Sequence, residues 1–292
     1  NTRKRKYTTT ILATALLFSL GGCVKDELHD TPHPDTGKVT VTVDWSDRGE
    51  GVDIPAEWTV TMGDYTGTET GTTHTPDYLF NPGSYTLAAY NTPENITVSG
   101  TTATVAPETG NGTYISNVPG WLFTSVQDVT IEADTDYGLT AAMHQQVRQL
   151  TLVIEPTGDA ADRIESIEGA LSGAAGTMDF ATGTYGAASD VALHFTKITE
   201  GSDAGKWTAT VRLLGIAGDT QRLTATLTYA DGNPADTGLE SDLTAALADF
   251  NADKTEPLTL GGTIAETPTE AGVEAGITDW EKIDGGGVDA EM

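Results

Sequence analysis

Hydrophobic and polar residues alternate over several short stretches of this chain, and the clearest alternation covers residues 38–45. Val39, Val41, Val43 and Trp45 fall on one side of this stretch, while two threonines and an aspartate fall on the other. Successive side chains of a β-strand point to opposite faces, so the pattern predicts a strand with one buried face.

Similar stretches follow, separated by residues that favour turns, of which Asn81-Pro82-Gly83 is the strongest signal. In the first half the pattern predicts strands at residues 58–62, 84–90, 96–98, 103–105, 114–115, 126–133 and 137–143. In the second half it predicts them at residues 147–154, 177–180, 191–198, 207–214, 222–229 and 258–264. Short strands repeating at intervals of about ten residues favour antiparallel β-sandwiches over alternating strands and helices.

Two stretches of the second half have a helical spacing instead. In residues 159–171 the apolar positions are Ala160, Ile164, Ile167 and Leu171. In residues 238–250 they are Leu239, Leu243, Ala246, Leu247 and Phe250. Apolar residues three or four positions apart share one face of an α-helix, so we predict a short helix in each stretch.

The length of 292 residues exceeds that of one small sandwich and predicts two domains. We place an amino-terminal β-domain at residues 38–145 and a carboxy-terminal β-domain at residues 146–264. A single cysteine excludes an internal disulfide, so stability must come from burial in the β cores.

Residues 1–22 have the three parts of a secretory signal peptide. Basic residues at positions 3–6 precede an apolar stretch at positions 11–18, and Gly21 and Gly22 follow near the expected cleavage point. The apolar stretch is shorter than the roughly 20 residues that span a bilayer, so we predict that it is removed rather than retained.

Cys23 stands where the signal peptide should end, and Leu20-Gly21-Gly22-Cys23 resembles the lipobox of bacterial lipoproteins. The resemblance implies cleavage before Cys23 and acylation there, for example with palmitate; the alternative is an ordinary signal peptide with a chance cysteine. Each buried CH₂ of an acyl chain contributes about 0.8 kcal/mol, so a multiply acylated terminus would anchor the protein without a spanning helix.

Residues 23–37 read as a flexible tether, because they are polar, include Pro32 and Pro34 and show no apolar period. Lys25, Asp26 and Glu27 resemble the acidic signal that exports lipoproteins of Bacteroidales to the outer face of the outer membrane. The alternative is that the charges only keep the tether solvated.

The formal net charge of −28 excludes nucleic acid as a partner, since no basic stripe offsets the repulsion of phosphates. Removal of the signal peptide would leave 11 basic and 43 acidic residues, a net charge of −32. Residues 265–292 are acidic and thinly apolar, so they are either flexible or await a groove on a folded partner.

No catalytic constellation is present in the sequence. The five histidines have no zinc-binding spacing, no cofactor is indicated, and the proposed acylation would occupy the thiol of Cys23. Residues 133–136 and 231–236 carry oxygen ligands that suit Ca²⁺, although neither has a full loop signature, so polar turns are the preferred interpretation. Core positions are likewise preferred for Trp45, Trp58, Trp121 and Trp207, with an exposed sugar platform as the alternative.

The order of these features resembles the fimbrillin superfamily of Bacteroidales type V pili. The features are a lipobox, an acidic tether, two β-rich halves joined near residues 145–148, and an acidic tail with one tryptophan. The local sequence of residues 164–175, IESIEGALSGAA, resembles the helix, Leu-Ser-Gly and strand that open the second domain of such proteins.

The resemblance implies two transthyretin-like β-sandwich domains and no enzymatic activity. It also implies assembly with other fimbrial subunits through strand exchange, in which a donor strand replaces a displaced first strand. Here the displaced strand would contain Val39, Val41, Val43 and Trp45, and trypsin-like maturation would cut after Arg48.

The alternative for Arg48 is an ordinary loop residue in a subunit that stays lipid-anchored. The donor candidate contains Val273, Ile277, Trp280 and Ile283, which do not alternate cleanly.

We therefore expect a surface-exposed outer-membrane lipoprotein that acts as a fimbrial or adhesin subunit and contacts a host or bacterial surface ligand. The alternative is a surface glycan-binding lipoprotein that presents polysaccharide for uptake. Buried tryptophans would remove the best sugar-binding candidates from this second hypothesis.

Overall fold

The computed structural model describes residues 35–108, 112–158, 161–232, 234–269, 272–277 and 279–283. The predicted signal peptide, Cys23 and nearly all of the predicted tether lie outside the described residues. Strands and turns make up almost all of the described chain, so the prediction of a mainly β protein is confirmed. No helix in the described ranges is long and apolar enough to cross a bilayer.

Two small sheets build most of the first half. The strands of this half are β1 (Gly37–Asp44), β2 (Trp58–Met62), β3 (Tyr65–Glu69), β4 (Thr73–His74), β5 (Leu79–Phe80), β6 (Gly83–Tyr90), β7 (Ile96–Ser99), β8 (Thr102–Val105), β9 (Tyr114–Ile115), β10 (Phe123–Ile131), β11 (Asp136–Ala142) and β12 (His144–Gln145). All except β7, β8 and β9 belong to these two sheets. One sheet has the order β11-β1-β4, with β5 also paired to β1, and the other has the order β12-β10-β6-β2-β3.

The second half forms one large sheet whose strand path returns to its start. The strands of the second half are β13 (Arg148–Pro156), β14 (Ile164–Ala175), β15 (Thr177–Asp179), β16 (Thr184–Tyr185), β17 (Ala188–Lys197), β18 (Trp207–Leu213), β19 (Arg222–Tyr229), β20 (Thr237–Asp242), β21 (Leu258–Thr269), β22 (Gly272–Gly276) and β23 (Glu281–Lys282). All except β15 and β16 belong to the large sheet. The order is β13-β18-β17-β14-β19-β20-β22-β21-β23, and β13 also pairs with β21.

The prediction of wholly antiparallel sheets is wrong. β1 runs parallel to β11, β13 runs parallel to β21, and β20 runs parallel to β22. A parallel pair needs a long connection between its strands, and periodicity within a single strand carries no information about the direction of its neighbour.

The two halves are interleaved rather than merely adjacent. β7 and β8 pair with each other, and β8 pairs with β15 of the second half in a small sheet of order β16-β15-β8-β7. Strands from both sides of residues 145 and 146 share this sheet. The domain boundary predicted at this position therefore does not separate the sheets, and it stays a prediction.

Buried apolar side chains form two clusters. The amino-terminal cluster comprises Val39, Val41, Val43, Trp45, Trp58, Val60, Met62, Phe80, Leu87, Ala89, Phe123, Val129, Ile131, Ala141 and Met143. The larger carboxy-terminal cluster contains the apolar face of β13, including Leu150, Leu152 and Ile154, together with Ile96, Val105 and Leu122 from the first half. Trp121 is half-buried and packs against both clusters.

The helix predicted at residues 159–171 is wrong. Residues 159 and 160, including Ala160, lie outside the described residues. In the described part of the stretch, Ala161–Arg163 forms a single 3₁₀ turn and the following residues form β14, which pairs with β17 and β19. The register of β14 shifts between Ile164 and Ser166, which marks a β-bulge. Without the bulge, the buried side of the strand would continue from Ile164 to residues 166 and 168; with it, the next buried residues are Ile167 and Leu171. This bulge places buried isoleucines three residues apart and thereby imitates a helical period.

The helix predicted at residues 238–250 is also wrong. Leu239 and Leu243 are buried because they alternate with exposed residues along β20 and its continuation, and a strand places positions i and i+4 on one face. Consecutive turns follow, in which the backbone N–H of Leu247 donates to the carbonyl of Leu243 and that of Phe250 donates to the carbonyl of Leu247.

Candidate functional site

The predicted displaced strand is in place as β1, between β11 on one side and β4 and β5 on the other. Val39, Val41, Val43 and Trp45 are each no more than 7% exposed and belong to the amino-terminal cluster. The predicted alternation of residues 38–45 is therefore confirmed, and removal of β1 would open this cluster to solvent.

The short strand β4, which pairs with β1, is linked to β3 through the side chain of His74. The Tyr65 hydroxyl lies 2.6 Å from His74 Nε2, and His74 Nδ1 lies 3.4 Å from a carboxylate oxygen of Glu69. The His74 ring stacks on Tyr65 and meets the edge of Trp58. Backbone N–H groups of residues 70 and 71, followed by His74, hold the pKa of Glu69 below its usual value.

Arg48 lies in the loop after β1 with an exposed side chain, and it donates to the carbonyl oxygens of Val52 at 3.1 Å and Trp45 at 3.4 Å. The next residue, Gly49, is buried, and its N–H donates to Oε1 of Gln145 at 2.9 Å. A Cβ on Gly49 would collide with the carbonyl oxygen of Thr255. The basic side chain of the predicted cleavage site is therefore accessible, but the peptide bond after it is packed against the second half.

Gln145 and Arg148, in the connection between the two halves, form hydrogen bonds with the segment Lys254–Glu256. Its Nε2 donates to the carbonyls of Val147 at 3.0 Å and Lys254 at 2.5 Å. Arg148, 6% exposed, donates to the carbonyls of Glu256 at 2.7 Å and Phe250 at 2.8 Å. These bonds tie the connection between the two halves to one loop, which we call the junction loop (residues 249–256).

Lys254, in the junction loop, binds the connection between the two halves with its own side chain. Its Nζ donates to the carbonyls of Gln146 and Leu214, each at 2.9 Å, and lies 5.1 Å from the centre of the Tyr185 ring. Burial of the ammonium, aided by the charge of Arg148, lowers the pKa of Lys254 to about 7. The sequence alone did not single out Lys254, because a lone lysine between Asp253 and Thr255 has no distinguishing pattern.

The predicted donor segment lies against its own chain in the described residues. β22, whose backbone includes Val273, pairs antiparallel with β21 and parallel with β20. Ile277 is buried in the carboxy-terminal cluster at 4% exposure. Trp280 is half-buried and donates from Nε1 to Oγ of Ser241 at 2.8 Å, while Ser241 donates to the carbonyl of Ile277 at 2.6 Å.

Two adjacent glycines of β21 create the notch that receives this segment. A Cβ on Gly262 would lie 2.7 Å from Cγ2 of Ile277 and 3.1 Å from the Trp280 ring. A Cβ on Gly261 would lie 2.5 Å from Cδ1 of Ile283, which is itself 38% exposed. Glycine inside a strand often indicates close approach of another segment, so the sequence carries a signal for this notch.

The tryptophans proposed as a sugar platform are mostly in the cores. Trp45, Trp58 and Trp207 are at most 7% exposed, and the half-buried Trp121 has the guanidinium of Arg212 over its ring at 5.4 Å. Among the described residues, no three histidine, cysteine or acidic side chains come close enough together to hold a metal ion.

Comparison with known proteins gave a family match over most of the chain. The model of the fimbrillin-A associated anchor proteins Mfa1 and Mfa2 matches residues 59–284. A search of curated proteins gave no match.

Solved structures of similar fold come from Porphyromonas gingivalis and from species of Bacteroides. The fimbrial anchor protein Mfa2 from Porphyromonas gingivalis is 14% identical with a TM-score of 0.59, over 85% of this chain and 97% of that chain. A candidate adhesin from Bacteroides ovatus is 16% identical with a TM-score of 0.58, over 87% and 97%. A candidate polysaccharide-binding protein from Bacteroides thetaiotaomicron is 11% identical with a TM-score of 0.54, over 84% and 98%.

Proposed function

The chain belongs to the family of fimbrillin-A associated anchor proteins, and on this basis we propose that it is a lipid-anchored surface protein that holds fimbrial subunits by β-strand addition. This membership confirms the resemblance to the fimbrillin superfamily that the sequence indicated. The family and the anchor protein of similar fold support a fimbrial anchor or adhesin-like function at the cell surface rather than an enzymatic one.

The observation that carries the anchor role is the retained first strand. β1 is paired on both sides, and its three valines and the adjoining Trp45 are buried in the amino-terminal cluster. An anchor must keep the covalent path from its lipid to its folded body, and β1 lies on that path. We therefore propose that Arg48 stays uncut and that Cys23 carries the acyl chains.

The joining element in this proposal is the segment from Val273 to Ile283. Of its described side chains, Ile277, Trp280 and Ala275 pack against the carboxy-terminal cluster, and β23 contributes two residues. Burying an isoleucine contributes about 1.5 to 3 kcal/mol, so release of the segment has a cost that pairing with a neighbouring subunit could offset. Released, it would present a strand to the groove of that subunit.

Locking the segment onto its own chain tests the proposal. Ile283 follows β23 and donates its backbone N–H to the carbonyl of Thr259 at 3.0 Å, so the double variant Thr259→Cys/Ile283→Cys can form a cross-strand disulfide. We expect the oxidised variant to lose co-purification with fimbrial subunits from cells and to regain it on reduction. Equal co-purification in both redox states would exclude this segment as the joining strand, and the single variant Ile283→Cys controls for the substitution itself.

A further inference from the structure

A polar cleft lies where the two halves of the chain meet. It consists of two cavities, of about 480 and 420 Å³, that share His144 and Gln146 in their walls. The turn between β15 and β16 borders both, with Phe180 in one wall and Gly183 in the other. Each volume is within the range of about 300 to 1,000 Å³ that is typical of small-molecule sites.

The walls of the cleft are rich in planar polar side chains. The His144 ring pairs through Nδ1 with Asp47 at 2.5 Å, and Gln146 donates to the Thr124 hydroxyl at 2.9 Å. Gln127 donates to the carbonyl of Thr140 at 3.2 Å, and Asp128 accepts from Thr86 at 3.0 Å. A carboxylate or amide held by one such bond still has further acceptor or donor capacity, which suits it to bind hydroxyl groups.

Two aromatic rings complete the lining. Phe180 is half-buried and packs on Tyr90 with ring centres 6.1 Å apart. Tyr185 is half-buried, and burial raises its pKa to about 12, so its hydroxyl remains a hydrogen-bond donor at physiological pH. Rings held in place in this way offer flat apolar faces beside the polar groups.

The charges in the walls limit what the cleft can bind. Asp47, Asp128 and Asp253 are exposed carboxylates, whereas the ammonium of Lys254 is directed to the backbone carbonyls of the junction. An anionic ligand would be repelled. A peptide would find few apolar subsites for its side chains, since Val126 and Met178 are the aliphatic residues that are longer than alanine in these walls.

We propose that this cleft binds a neutral glycan, with the carboxylate and amide side chains on its hydroxyl groups and Phe180 against a sugar face. This function is separate from strand addition and needs no second subunit. It also differs from the tryptophan platform, because none of the lining side chains is a tryptophan.

Affinity electrophoresis of the purified, folded protein tests the proposal. The native gels would contain starch, xylan, yeast mannan or xyloglucan as neutral polysaccharides, with polygalacturonate as the anionic comparison. We expect retardation by at least one neutral polysaccharide and none by polygalacturonate. Absence of retardation in every neutral gel, or retardation in polygalacturonate alone, would overturn the proposal.

A matched pair of variants locates the binding. His144 and His194 are both exposed and both pair with a carboxylate at 2.5 Å, but only His144 lines the cleft. We expect His144→Ala and Phe180→Ala to weaken retardation about fivefold or more and His194→Ala to leave it unchanged. Equal effects of His144→Ala and His194→Ala would overturn the assignment, and thermal unfolding would verify that each variant is folded.

These outcomes are independent of the proposed anchor function. If the protein binds polysaccharide but fails to co-purify with fimbrial subunits, the glycan proposal stands and the assembly proposal fails. If it co-purifies with subunits but binds no polysaccharide, the assembly proposal stands and the glycan proposal fails. A basic peptide that competes for the gel-bound polysaccharide at lower concentration than soluble oligosaccharide would assign the cleft to peptides instead.

Discussion

The ammonium of Lys254 contacts neutral acceptors, since its hydrogen bonds go to the backbone carbonyls of Gln146 and Leu214 and to Sδ of Met178. Its folded-state pKa of about 7 is below the ordinary lysine pKa of 10.5. Between these values the unfolded chain binds more protons than the folded chain, so this residue makes stability rise with pH. Below pH 7 both states are protonated and the cost of the buried charge is fully present.

Replacing Lys254 by methionine should therefore remove a pH-dependent contribution. We expect the natural protein to gain stability relative to Lys254→Met as the pH increases from 7 towards 10, with each unit of pKa difference worth about 1.4 kcal/mol. Urea unfolding at several pH values measures the difference. The exposed Lys282→Met is the control, and parallel pH profiles for natural protein and Lys254→Met would contradict the prediction.

Gly262 is a second single residue on which a contact depends, because any side chain there meets Ile277 and the Trp280 ring. We expect Gly262→Val to destabilise the protein by about 1 to 3 kcal/mol and to displace residues 277–283, with a red shift of tryptophan fluorescence. Gly138→Val is the matched control, because a Cβ on Gly138 of β11 meets nothing within 4 Å. An unchanged spectrum in Gly262→Val would show that the notch is not needed for docking.

Strand β1 is the element on which the amino-terminal cluster depends. Val41 is 1% exposed, and its neighbour Thr42 is exposed on the opposite face. We expect Val41→Asp to reduce the free energy of unfolding by about 3 to 5 kcal/mol, because it buries a carboxylate without a partner, and Thr42→Asp to change it by less than about 1 kcal/mol. Similar unfolding midpoints for the two variants in denaturant would place β1 outside the core.

The loop after β1 is protected by one amide side chain, Gln145, which binds Gly49. We expect Gln145→Ala to accelerate trypsin cleavage after Arg48 severalfold, because it removes the hydrogen bond that holds Gly49. Mass spectrometry of the fragment that begins at Gly49 gives the rate. Gln221→Ala is the control, since Gln221 is an equally buried amide that binds the backbone carbonyls of residues 217 and 218; equal acceleration by both variants would indicate general loosening.

Strand β14 illustrates how far the sequence predicts an element. Of the apolar residues predicted to share one face in this stretch, Ile164, Ile167 and Leu171 are all buried. Their spacing imitates that of a helix because a bulge changes which residues of the strand face the core. Only the pairing of β14 with β17 and β19 reveals this bulge. Local spacing cannot separate a bulged strand from one turn of helix.

For the whole molecule, we expect the proposed acyl chains on the amino-terminal tether to hold the folded body at a surface. A net charge of −28 disfavours adsorption to anionic lipid, so the acyl chains would have to supply the attachment. We expect Cys23→Ser to lose palmitate labelling and to leave the membrane fraction, whereas Ser19→Ala, which retains Leu20 to Cys23, should behave as the natural protein. Undiminished membrane retention of Cys23→Ser would contradict lipid anchoring.

The sequence by itself determined the β class of the chain, the buried face of β1 and the family to which the chain belongs. These follow from alternation within single strands and from the order of features along the chain, which need no knowledge of spatial neighbours. The tertiary structure alone decided the parallel pairings, the sheet shared between the halves, the junction held by Lys254 and Arg148, and the notch for residues 277–283. Each of these depends on contacts between residues far apart in the sequence, and no local pattern records which distant segment a strand or a side chain will meet.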